Sequence, residues 1–153
     1  MESIAYKFLL FLHSLLRWVV LLSFSFTFFR LVYSVLKKEN ITEFCKFGHK
    51  LTMILVDVQF LIGMLLYLFY SPIVQTALAD FKTAMKTKEL RFFAIEHLVI
   101  MSVVLILLHI ANVILKREIN PQKVSRILLG TYVFILALFI VGIPWFRPMF
   151  RGI

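Results

Sequence analysis

The sequence predicts an all-α integral membrane protein: a four-helix bundle with a short interfacial helix between the second and third spans. Three observations carry this. Of the 153 residues, 61% are hydrophobic and the mean hydropathy is +0.94, whereas soluble domains are nearer about 45–50% apolar. The apolar residues fall into four runs, each close to or longer than the roughly 20 residues that cross a hydrocarbon core. Lysines and arginines gather at the ends of those runs, where they flank membrane spans. No long polar segment is left over, so residues 1–153 read as a single membrane domain with spans at approximately 8–36, 48–70, 92–116 and 126–146.

The first span is stopped by Lys37 and Lys38. It is longer than a crossing needs, and Trp18 beside Arg17 marks an interface that leaves Phe8 to Leu16 as a helical extension near the surface. His13 and Arg17 stand one turn apart and share a helix face. Arg30 lies deeper and needs a partner. The second span opens with His49 beside a lysine, which predicts a solvated histidine. It carries Asp57, Gln59 and Gly63, and it ends at Ser71-Pro72, where proline disfavours further helix.

Within Ser71 to Leu90, the stretch QTALADFKTAMKTKEL has apolar residues at helical spacing with lysines between them, as a short interfacial helix does. The third span, RFFAIEHLVIMSVVLILLHIANVILK, opens on Arg91, Glu96 and His97 and carries His109 further in. After a turn at Asn120-Pro121, the fourth span starts at Arg126 and ends at GIPWF. It has no ionisable residue between Arg126 and Arg147 and reads as a structural wall, with Gly130 and Gly142 permitting close helix contact. Four spans place both termini on one side, and the basic residues divide almost evenly between the two sides.

The net charge of +9 does not point to nucleic acid, because the basic residues sit at span ends and no stacking platform stands clear of the apolar runs. Cys45 is the single cysteine, so an internal disulfide is excluded and no thiolate cluster exists. The opening MESIAYK, acidic early and without a small-residue cleavage site after its apolar region, reads as an uncleaved anchor.

Antiparallel helices let residues be matched by height at about 1.5 Å of rise each. His13 and His97 then reach one level near the terminal side, with Arg17 and Glu96 beside them. Ionisable groups at membrane depth face a bundle interior or a cofactor. A bis-histidine haem needs two imidazoles from different helices in a bundle core, and Arg17 offers a guanidinium for a propionate. Glu96 points about 100° away from His97 on a helix and so reads as a partner for Arg17. Toward the other side, Arg30, Asp57 and His109 share a height. His109 is twelve residues, or about 120°, from His97, so the two face different helices; it is a further candidate for cofactor binding. The competing reading has no cofactor: Arg17–Glu96 and Arg30–Asp57 would be ion pairs that fix helix register, and His13 a solvated residue.

The order LHSLLRW, DVQFLIGMLLY, RFFAIEHLVIM and GIPW resembles a family of small bacterial four-helix membrane proteins labelled "cytochrome B", over nearly the whole chain. The resemblance implies His13, Arg17, Gln59, Gly63, Arg91, Glu96 and His97 as marked positions, a b-type haem, and residence in a bacterial inner membrane. One departure is Asp57, where that pattern often carries histidine. The expected function is a membrane b-type cytochrome in electron transfer, with haem b held by His13 and His97 between the first and third helices. It would be an electron carrier or complex subunit rather than a stand-alone enzyme. Its electrons would come from a quinol or a partner subunit, in a lipid setting that also admits a homo-oligomer. The alternative is a cofactor-free subunit or scaffold of a larger membrane complex. A weaker likeness, to small four-helix protoporphyrinogen oxidases, lacks their third-span lysine.

Overall fold

A computed structural model of the chain describes residues 3–117, 120–145 and 147. Helix α1 spans Ile4–Lys37 without interruption, about 50 Å at 1.5 Å per residue and so well beyond a hydrocarbon core of roughly 30 Å. Ser3 caps its start by accepting the Tyr6 amide at 3.1 Å. Its end is closed by Lys38 in the left-handed region (φ 55°), whose N–H reaches the carbonyls of Ser34 and Val35. Helix α2 (Glu43–Leu65) starts on a Thr42 cap and runs into a π turn, π1 (Leu66–Tyr70).

The segment expected to form one interfacial helix forms two, α3 (Pro72–Ala79) and α4 (Phe81–Lys86). Asp80 divides them. Its carboxylate accepts the Thr83 amide at 3.1 Å, a local bond that starts a new helix instead of continuing the old one. The Thr83 hydroxyl and amide also hold the Asp80 carboxyl below its ordinary pKa. Ala77 and Ala84 are buried with Ala94, so this connection packs onto the start of the third span. That span begins with a short turn, α5 (Lys88–Arg91), passes through a second π turn, π2 (Phe92–Glu96), and continues as α6 (His97–Leu115). Helix α7 (Pro121–Gly142) begins five residues before the expected Arg126, because Asn120 caps the amides of Gln122 and Lys123 and Pro121 occupies the first helical position. The expected end of the fourth span, at 146, lies outside the described residues.

Among the described residues, four helices are long and apolar enough to cross a membrane: Ile4–Lys37, Glu43–Tyr70, Lys88–Leu115 and Pro121–Gly142. Helix α1 packs on α2 and α7, and α6 packs on the same two, so α1 and α6 occupy opposite corners of a four-membered ring. The centre holds Phe24 stacked on Tyr132 at 4.9 Å and edge-on to Phe139 at 5.1 Å, with Leu31, Leu108, Leu128 and Ile135 buried around them. Gly142 brings α7 against α6: a Cβ there would lie 2.6 Å from both Ile100 and Met101. Gly130 does not serve the expected close contact, since a Cβ there meets nothing within 4 Å.

Candidate functional site

Near the terminal side the ring of helices opens. A cavity of about 170 Å³ lies between α1, the π1 end of α2, the π2 start of α6 and the last turn of α7. Its polar lining includes His13, Arg17, Gln59, Tyr67, His97 and Arg147, set among Phe60, Phe93, Phe139 and other apolar groups. Both π turns border it. The wider i→i+5 winding disturbs the regular backbone ladder, and the Tyr67 hydroxyl of π1 donates to the Ala94 carbonyl of π2 at 2.9 Å. Two irregular turns are thereby tied together at one height.

His13 and His97 come from the diagonal helices and meet across this space. Their ring centroids are 6.4 Å apart and their planes are inclined at 72°. Nδ1 of His97 lies 2.7 Å from the Gly142 carbonyl oxygen. A carbonyl only accepts, so Nδ1 carries the proton and Nε2 keeps its lone pair. Helix α2 meets His13 at two points. The Gln59 amide donates to the His13 carbonyl at 2.9 Å, and Gly63 gives the ring room: a Cβ there would sit 3.2 Å from its Cε1. Nδ1 of His13 is buried and closes no hydrogen bond.

Charge around the site differs from the expected pattern. Glu96 binds the Arg91 guanidinium at 2.7 Å rather than pairing with Arg17, and Arg91 also donates to the Met85 carbonyl at 3.1 Å. Arg91 and Glu96 are five residues apart, about 140° on an α-helix, but the π turn between them returns i and i+5 to one face. Arg17 lines the cavity. Arg147 lines it too, paired with Glu89 and lying 4.2 Å over the Phe93 ring. The cavity thus has two guanidinium groups in its wall.

The remaining candidates lie elsewhere. His109 is not in the cavity wall; its Nε2 meets Asp57 Oδ1 at 2.9 Å on the outer face of α2 and α6. Arg30 does not join that pair. It lies over the Tyr33 ring at 5.7 Å, with a long contact of 3.5 Å to Thr42. His49, expected to be solvated, is only 2% exposed, and its Nδ1 meets the Tyr132 hydroxyl at 2.8 Å. Beside it Thr52 is within 2.8 Å of Ser23 and donates to the Gly48 carbonyl. A polar cluster of this kind inside a bundle is held by interhelical hydrogen bonds.

Arg147, Tyr67 and the Gly142 carbonyl were not legible as site groups. An arginine just past a span and a tyrosine near a span end match ordinary membrane-interface residues, and a carbonyl leaves no trace in side-chain patterns. Among the described residues no group of three or more His, Cys, Asp or Glu converges as a metal site. Compared with protein families, curated proteins and solved structures, the chain has no match.

Proposed function

We propose that this protein is a membrane b-type cytochrome, with haem b held between α1 and α6 by His13 and His97. The observation that carries the reading is the 6.4 Å separation of the two rings across the bundle diagonal. Two imidazoles that approach each other from different helices in a bundle core are the residues that would hold a haem iron. The hydrogen bond from His97 Nδ1 to Gly142 is the outer contact that orients ligand imidazoles and fixes their tautomer. The unsatisfied Nδ1 of His13 and the space kept by Gly63 fit a ring held for a purpose beyond packing.

Haem bound there would supply one-electron redox chemistry. The chain's own residues would do the rest. Arg17 and Arg147 present guanidinium groups to carboxylates, Phe93 and Phe139 keep the interior apolar, and Gln59 fixes the height of His13 through its carbonyl. Electrons would enter from a quinol or a partner subunit, and the setting would be a bacterial inner membrane.

A second reading has an observation of its own. A tilted ring pair at 6.4 Å is also ordinary aromatic packing, and about 170 Å³ is only slightly more than the roughly 150 Å³ cavity that takes one benzene. On that reading the chain is a cofactor-free subunit of a larger complex. Purification after expression with ample haem separates the two. The cytochrome reading expects about one haem per chain from a Soret band against protein concentration; a colourless, well-folded protein would leave the subunit reading in place.

A further inference from the structure

The Asp57–His109 pair faces outward. It joins α2 to α6 at 2.9 Å, with the side chains 34% and 47% exposed. Asp57 is seven residues in from Lys50 and His109 seven in from Lys116, so both lie about 10 Å inside the lysines that mark the span ends. Around them the exposed surface of the two helices is apolar, with Ile54, Leu61, Ile106 and Val113. Hydrocarbon offers no hydrogen bond to an ionisable pair at that depth, and such groups turn toward protein or a water-filled space.

The chemistry of the pair names its complement. Nε2 and Oδ1 are used within the pair, so an imidazole Nδ1 and a carboxyl Oδ2 remain for a further partner. The two residues stand side by side at one depth, so a two-fold rotation along the bundle would set the imidazole of each copy against the carboxyl of the other.

We infer that the α2–α6 face is a homodimer interface, where His109 Nδ1 of each copy donates to Asp57 Oδ2 of the other. The interface would be isologous, the commonest symmetry of homo-oligomers, and the apolar residues around the pair would pack across the axis. This inference is independent of the haem reading.

The test uses full-length chains carrying donor or acceptor fluorophores, reconstituted at low density in phosphatidylcholine vesicles, with energy transfer as the readout. Wild type is expected to associate, and Asp57→Leu/His109→Leu to weaken association at least tenfold (~10-fold). Ile106→Trp leaves the pair intact but obstructs the face, and is expected to weaken association as well, so the inference stands even where the leucine variant fails to fold. Wild type that stays monomeric at every protein-to-lipid ratio, including one that binds only a different protein, overturns it. So does undiminished association of both variants.

Discussion

Nδ1 of His97 and the carbonyl oxygen of Gly142 lie 2.7 Å apart, and this contact joins the third span to the end of the fourth at the level of the cavity. The wall helix, which carries no ionisable side chain in its spanning part, contributes to the site through its backbone. Gly142 is what lets α7 come so near. Gly142→Ala would place a methyl 2.6 Å from Ile100 and Met101, an overpacking expected to cost about 1–3 kcal/mol. It would also move the carbonyl from His97. Thermal unfolding in detergent should therefore show a lower midpoint.

Gly63 faces His13 in the same way. Gly63→Val would put a branched side chain where the imidazole lies, since even a Cβ comes within 3.2 Å of Cε1. Helix content by circular dichroism is expected to persist while haem retention falls by about tenfold or more. Equal haem content in variant and wild type would separate the ring's position from ligation.

Glu96 tests which ion pair matters. As a buried partner of Arg17 its loss would cost about 3–5 kcal/mol. As the partner of Arg91, in a pair whose side chains are each 42% exposed, it is worth about 0–1 kcal/mol. Glu96→Gln is thus expected to shift unfolding only slightly.

Tyr132→Phe removes the hydroxyl that meets His49 inside the bundle. A buried imidazole nitrogen left without its partner costs about 1–3 kcal/mol. The variant is expected to unfold earlier than wild type with its spectrum unchanged, because His49 and Tyr132 lie outside the cavity wall.

Much of the fold was legible because hydrocarbon imposes one constraint on every span: its backbone must be satisfied within a long apolar helix. Height was legible too. A fixed rise per residue brings His13 to His97 and Asp57 to His109, and the structure joins both pairs. Direction around the helix axis was not. The π turn over Phe92–Glu96 gives Glu96 to Arg91, and a regular helix would not do so. His49 misled because its neighbour Lys50 is exposed, while its partner Tyr132 lies 83 residues away on α7.

Reporter fusions check the frame on which all of this rests. With four crossings, a reporter at Asn40 and another at Lys86 are expected on opposite sides of the membrane. Both on one side would contradict the arrangement.

The central claim is ligation by the diagonal pair, and optical spectra of the purified protein test it most directly. Oxidised and dithionite-reduced wild type should show low-spin bands, and His13→Ala and His97→Ala should each lose the haem or shift to high spin. Low-spin spectra unchanged in both variants would contradict the account, even with haem present.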